Sequence, residues 1–480
     1  MKNIKTKAIY GFAWSITDKL FSQLGHLAVT IYLARLIGPE KFGFVGVLTI
    51  FMLLAESVVS SGFTQALVQR SHQLTKEDAS TIFYVNFGWS MLMYALLYIS
   101  APWIADFFHQ PELVDISRIL FLVIIINSLA VVVRAKLTIK VDFKSQAIAS
   151  TVATLLSAIL AIFLAQHGYS YWALVWLIIS KSLFASIGIW LFCRWLPQWR
   201  FSMESFRSLF KFGSNLMFAG FVATLVNNLY VALIGRFYDA TQVGYFTQAS
   251  NLSNYLSQFI SSSLQGVTYP IMTSIKEDRE RLINVYKQLI SITMLVSLPL
   301  LVGFAAISDD FVRLLLGDEW KPVVPVLIAL SIARTITPIS SINMNILNAI
   351  GRSDLFLKVD LSKLPLALGT LYIALPHGIE GVAWAMVCTS FIAFFINAYF
   401  PGKLFGFGAI KQLKVATHYI IASVIMFVII INLPVGENLI GLFTKIIVGA
   451  VVYTLYLLVV GDNLLHRGIR KISSKLITGG

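Results

Sequence analysis

The sequence predicts an all-α, polytopic membrane protein of about fourteen transmembrane helices, arranged as two six-helix repeat lobes followed by two further helices. Three observations carry this expectation. Of the 480 residues, 57% are hydrophobic and only 12% charged, with a mean hydropathy of +0.79, a balance foreign to water-soluble globules. Apolar stretches able to cross ~30 Å of hydrocarbon at 1.5 Å per residue follow one another along the whole chain, too long for the ~10-residue alternating strands of a membrane barrel. Finally, residues 33–64 recur in outline 201 positions later.

The recurrence is specific in its order. Leu33-Ala34-Arg35 returns as Ile234-Gly235-Arg236, Gly43-Phe44 as Gly244-Tyr245, and Ser60-Ser61-Gly62-Phe63 as Ser261-Ser262-Ser263-Leu264. His167-Gly168 with Ala173 returns as His377-Gly378 with Ala383 at a spacing of 210. A repeat this long is no solenoid unit, and in a membrane chain it implies two similar helix bundles around a central site. The lobes are placed at 1–203 and 204–410, with 411–480 holding two added helices and a basic tail.

The spans follow in order. The first, 9–37, comes after Lys2, Lys5 and Lys7, but it is too long and too charged for a signal peptide and lacks a small-x-small cleavage site, so it reads as a retained helix. Spans at 42–68, 79–104, 113–138, 145–166 and 171–195 complete the first lobe. The second has 206–238, 242–272, 282–308, 323–349, 355–376 and 379–400. Pro299, Pro338 and Pro365 fall inside three of these, where a missing N–H kinks the helix, and Pro299 with Gly303 forms the best hinge candidate. After the loose joint Gly402–Gly408 come 415–433 and 440–461, the least polar of all, expected as peripheral, lipid-facing additions.

The net charge of +14 reflects topology more than partners. Most lysines and arginines, among them Arg70, Lys76, Arg134, Lys136, Lys140, Arg194, Arg279 and Arg352, fall in one alternating set of loops and in the two ends. Arg35, Lys41, Arg236, Arg313 and Lys321 fall in or beside the other set. By the positive-inside rule both termini are expected in the cytoplasm, and nucleic acid is not an expected partner. Cys193 and Cys388 lie on different helices and imply no disulfide. No loop of the opposite set is long enough for a folded domain, which weighs against a membrane glycan polymerase or glycosyltransferase.

Soluble catalytic signatures are missing: there is no His-Glu-x-x-His, no Gly-x-Ser-x-Gly, no P-loop and no zinc-spaced cysteine pair, so no enzyme, cofactor or metal is expected. Asp309-Asp310 reads as a capping or solvated pair. The informative residues are charges within spans, each costing about 2.5–3.5 kcal/mol at the bilayer centre unless it faces protein or a wet cavity. These are Asp18, Lys19, Glu56, Lys181, Arg334, Asp360 and Lys363. Arg118, Lys287 and Lys445, nearer helix ends, are expected to snorkel. Asp360 and Lys363, three apart, can satisfy each other. Lys181 and Arg334 have no acidic neighbour on their own helices, and an ammonium and a guanidinium both suit phosphate oxygens. Asn251, Asn254 and Gln258 share one helical face, and with Asn345 they offer amides for sugar hydroxyls or, equally, for interhelical hydrogen bonds.

At its ordered motifs the chain resembles the bacterial polysaccharide exporters, Wzx-type flippases of the multidrug/oligosaccharidyl-lipid/polysaccharide superfamily. The carrying residues are Leu33–Gly43, Gly62–Gln69, Val243-Gly244-Tyr245-Phe246, Leu316-Gly317-Asp318-Glu319-Trp320 and Leu347–Arg352. The resemblance implies a MATE-like, two-lobed transporter of the bacterial inner membrane that moves undecaprenyl-pyrophosphate-linked oligosaccharide by alternating access. Relatives often carry an arginine where Gln248 stands, so a family anion site on that helix does not transfer simply.

On this reading Lys19, Lys181, Arg334 and Lys363 attract pyrophosphate, and Asn251, Asn254, Gln258 and Asn345 contact sugars. Asp18, Glu56 and Asp360 are candidates for a coupling proton or sodium ion. Expected partners are the lipid-linked oligosaccharide, membrane lipids and glycan-assembly proteins. A MATE-like drug or cation antiporter is the nearest alternative, disfavoured because the mid-bilayer charges lean basic. A scaffold role in a glycan assembly complex is a further alternative.

Overall fold

The computed structural model describes residues 21–69, 75–140 and 142–466. Its elements are α1 (Phe21–Ile37), α2 (Pro39–Gln69), α3 (Lys76–Phe108), α4 (Leu113–Leu120), α5 (Leu122–Ile139), α6 (Phe143–Gln166), α7 (Trp172–Cys193), α8 (Met203–Phe237) and α9 (Ala240–Ser274). There follow α10 (Arg279–Ala306), the four-residue α11 (Ser308–Phe311), α12 (Val323–Arg334), α13 (Ile336–Ala349), α14 (Ser353–Ser362), α15 (Leu364–Ala374), α16 (Gly378–Phe405), α17 (Ala409–Ile431) and α18 (Leu439–Val460). Taking α4–α5, α12–α13 and α14–α15 each as one broken rod, and leaving out α11, the described residues give fourteen rods, as the sequence predicts. The chain is a multi-pass, all-α membrane protein.

Local chemistry sets the helix ends. Thr75 caps α3, accepting from the Asp78 N–H at 3.0 Å while Asp78 accepts from the Thr75 N–H at 2.9 Å. Asp142 caps α6 through the Ser145 N–H, Asp278 caps α10 through the Arg281 N–H, and Asn438 caps α18 through the Gly441 N–H. Each such cap contributes about 1 kcal/mol.

Two of the three prolines singled out in the sequence do mark breaks. Pro338 is the third residue of α13, just past the interruption at Thr335, and Pro365 is the second of α15, just past the interruption at Lys363. Helix α10 runs unbroken through Pro299, and Gly303 lies 3.4 Å (as a built Cβ) from the Met426 methyl of α17, so this stretch is a packing surface.

Residues 1–247 form one compact unit and residues 248–480 a second, the division falling within α9. In the first unit α7 lies on α6 and α5. The buried face of α6 is a run of small side chains, Ala147, Ala149, Ala153, Ser157, Ala158 and Ala161, and Gly188 of α7 seats directly over Ala149. Small residues let membrane helices approach closely where no hydrophobic effect drives them together. Trp190 Nε1 donates to the Leu129 carbonyl at 3.1 Å, Ser186 to the Ile126 carbonyl at 3.2 Å, and the buried Ser90 and Ser128 hydroxyls meet at 2.9 Å.

The repeat is written into one contact of this unit. A Cβ on Gly43 would stand 1.8 Å from the Ala240 carbonyl oxygen, and one on Gly244 1.9 Å from the Pro39 carbonyl oxygen. Pro39 and Ala240, like Gly43 and Gly244, are 201 positions apart, so α2 and the start of α9 cross reciprocally, each glycine against its counterpart's helix start.

In the second unit α10 is central, flanked by α12, α13 and α17. The last two helices are less peripheral than the sequence suggests. Helix α18 does expose an apolar surface, with Ile440 and Val459 largely uncovered, but α17 buries Gln412, Ala416, Tyr419, Ala422, Ser423, Met426 and Ile430 along one face. At its start, Tyr286 donates to Asn343 Oδ1 at 2.5 Å, and Gln412 Nε2 donates to the Tyr286 hydroxyl and Asn343 Oδ1 at 2.9 and 3.0 Å. This buried network joins α10, α13 and α17.

Candidate functional site

Among the ionisable residues of the spans, the structure brings together Glu56 and Lys181. They line a cavity of about 490 Å³ within the first unit, between α2, α5, α6 and α7. Glu56 accepts a short hydrogen bond from Asn127 Nδ2. Arg134 lines the same cavity and bears electrostatically on Glu56, while Lys181 bears on His26 of α1. Gln146, Ser150 and Ser182 add neutral donors, and Ser150 also meets Ser22 of α1 at 3.0 Å.

The local sequence explains the convergence. Asn127, Val131 and Arg134 stand three to four residues apart on one face of α5, as Lys181, Ala185 and Ile189 do on α7. Two cations against one carboxylate give the cavity a net positive balance, suited to oxyanions. Sequence reading missed Arg134 by counting it with the basic loops. Its position directly after the apolar run Ala130 to Val133, still inside the 113–138 span, was the available signal.

Arg334 lies in the second unit, at the last residue of α12, where the membrane rod is interrupted. Its Nε is buried and meets no hydrogen-bond partner, and among the described residues its guanidinium forms no ion pair. Pro338 has no N–H with which to satisfy the Arg334 carbonyl four residues earlier. The fully buried hydroxyl of Ser257 on α9 donates to it instead, at 3.4 Å. A broken helix placing a charge at mid-span is tolerated where protein or a wet cavity surrounds it.

The amide residues divide. Asn251 and Gln258 are exposed on α9 and Asn254 half-exposed. Asn345 is occupied structurally, donating to Thr268 at 3.3 Å. Gln248 is buried, and among the described residues neither of its amide atoms finds a hydrogen-bond partner. Asp360 and Lys363 close on each other at 2.5 Å. Asp18 and Lys19 lie outside the described residues.

Two expectations about charge are corrected. Lys445 does not snorkel: it is paired with Asp310 at 2.6 Å, both side chains nearly covered at 13% and 11% exposure. Asp310 is accordingly not solvated, whereas the Asp309 side chain stays half-exposed, as expected. Asp309 holds Arg313 at 3.1 Å, and Arg313 reaches Glu437 at 3.2 Å in the connection before α18. These pairs fasten the 308–316 segment to the last two helices.

Residues 32–325 match the family model described as polysaccharide biosynthesis protein. The succinoglycan biosynthesis transport protein ExoT of Rhizobium meliloti (strain 1021) is 23% identical over 95% of this chain and 93% of its own length. Among solved structures, the fold is similar to the lipid II flippase MurJ in an inward closed conformation, with a TM-score of 0.74, 16% identity and coverage of 93% and 98% of the two chains. It is also similar to an inward-facing multidrug resistance MATE family transporter of the MOP superfamily, with a TM-score of 0.63, 18% identity and coverage of 82% and 96%.

Proposed function

Because this chain belongs to the polysaccharide biosynthesis protein family, we propose that it is a flippase for polyprenyl-pyrophosphate-linked oligosaccharide, an intermediate in O-antigen, capsule or exopolysaccharide synthesis, working in the bacterial inner membrane with both termini cytoplasmic. It is a transporter and not an enzyme. It works by alternating access of the repeat lobes 1–203 and 204–410, with 411–480 as the added pair.

The observation that carries the reading is the set of cations held inside the spans. Lys181 and Arg134 share a polar cavity, and Arg334 keeps a buried guanidinium that meets no counter-ion among the described residues. A cation that must be kept charged within a membrane protein is best accounted for by an anion that visits it. Pyrophosphate supplies that anion, while the open amides Asn251, Asn254 and Gln258 suit sugar hydroxyls. Lys363 is committed to Asp360, which weakens both as site residues. Of the three coupling candidates, Glu56 is the carboxylate that faces the cationic cavity, and a proton or sodium ion there would offset its negative charge when substrate enters. Glycan-assembly proteins remain proposed partners.

The test is reconstitution in liposomes carrying a fluorescent polyprenyl-pyrophosphate oligosaccharide in one leaflet. Protein-dependent transfer to the other leaflet supports the proposal. Extrusion of a cationic dye with no lipid transfer would favour the MATE-like antiporter reading instead.

A further inference from the structure

A second cavity, of about 520 Å³, lies along the α5–α7 seam of the first unit and is not used by the proposed transport chemistry. Its walls are Ile126 and Leu129 of α5, Leu183, Ile187 and Trp190 of α7, and Trp195 just beyond. The polar atoms nearest its floor are already used, Ser186 by the Ile126 carbonyl and Trp190 Nε1 by the Leu129 carbonyl. The groove therefore offers an occupant apolar contact and nothing else along its length.

Its end is different. Arg194 lines it there, exposed, with φ +48°. Lys136 sits 4.6 Å from the centre of the Trp195 ring. Lys76 and Lys140 bear electrostatically on Lys136. Among the described residues none of these four cations is paired with a carboxylate. They belong to the end of the helices that carries the basic connections, where a membrane's anionic headgroups lie.

We infer that this groove is a binding site for an anionic glycerophospholipid, one acyl chain lying along Leu183, Ile187 and Trp190 and the phosphate held between Arg194 and Lys136. The occupant is a resident lipid rather than the tail of the transported substrate, because the Ser186 and Trp190 hydrogen bonds close the seam between this groove and the polar cavity behind it. Unpaired cations at the mouth of an apolar groove select for a chain with a negative head, and a zwitterionic lipid would satisfy them less well.

The test uses the full-length protein in nanodiscs of phosphatidylglycerol and phosphatidylcholine, followed by mass spectrometry of the lipid retained after transfer to detergent. The wild type is expected to retain phosphatidylglycerol preferentially. Lys136→Gln with Arg194→Gln is expected to lower that retention roughly thirtyfold, whereas Lys136→Arg with Arg194→Lys preserves it. Ile187→Trp, which fills the groove and leaves the charges, is expected to lose the lipid as well. Equal retention of the two lipids, undiminished retention in the charge-removed variant, or displacement of phosphatidylglycerol by a polyprenyl phosphate would each overturn the inference. None of these readouts depends on transport.

Discussion

Ser257 donates its hydroxyl to the carbonyl oxygen of Arg334, whose guanidinium forms no ion pair among the described residues. Ser257 stands 201 positions after Glu56, which accepts from Asn127 in the first unit. The two halves of the repeat thus use one position for one purpose, tying the second helix of a lobe to its broken fourth rod. They differ in what they hold there, a carboxylate in one and a hydroxyl in the other.

Removing the Ser257 hydroxyl leaves a buried carbonyl without a donor. Ser257→Ala is expected to cost about 1–3 kcal/mol, read as a lowered midpoint of thermal unfolding in detergent. Ser257→Thr, which keeps the hydroxyl, should recover most of it. An unchanged midpoint in the alanine variant would mean that the break at Thr335 is held by other contacts.

The reciprocal glycine crossing predicts unusual sensitivity to a single methyl. Gly43→Ala and Gly244→Ala each place a carbon inside a backbone carbonyl of the facing helix, so the helices must separate, at about 1–3 kcal/mol or more. Both variants should show reduced folded yield on size-exclusion chromatography. Gly88→Ala, where a Cβ meets nothing within 4 Å, is the control and should behave as wild type.

The Lys445–Asp310 pair is covered on both sides, so breaking it strands a charge. Lys445→Met alone and Asp310→Leu alone should each cost about 3–5 kcal/mol, while the two apolar substitutions together should cost far less. Thermal unfolding of the three variants, analysed as a double-mutant cycle, measures the coupling. Additive losses would show that the two residues act independently.

Acid should loosen the end of α18. Asp462, just past that helix, feels burial that raises its carboxyl, but the Leu465 N–H, the Tyr419 hydroxyl and His418 outweigh burial and hold it below the usual carboxylate value. A depressed folded-state value means stability is present above the unfolded value of about 3.9 and is lost as pH falls through the folded one. Unfolding midpoints followed downward from pH 6 should fall less steeply below pH 4 in Asp462→Asn than in wild type. Parallel curves would remove the assignment.

Much of this was legible in the sequence because membrane insertion imposes simple rules. Length and apolarity gave the rods, the recurrence of Gly43 at Gly244 gave the lobes' common plan, and intramembrane charge pointed to Lys181, Glu56 and Arg334. The misses have one physical cause, which is that pairing between distant helices leaves no local trace. Lys445 looked like a snorkelling end residue because Asp310 is 135 positions away. Arg134 looked like a loop cation because its partner cavity is assembled from four helices. Lys363, by contrast, was read correctly as able to satisfy Asp360, since that pair is local.

The central claim is that the spans hold cations in order to receive a phosphate-bearing lipid. The most direct measurement is leaflet transfer of a fluorescent polyprenyl-pyrophosphate oligosaccharide by reconstituted Lys181→Gln and Arg334→Gln, beside wild type at equal protein density. The account predicts that both variants insert and remain folded, with transfer reduced at least tenfold, about 1.4 kcal/mol or more of lost stabilisation. Transfer at the wild-type rate by both variants would contradict it.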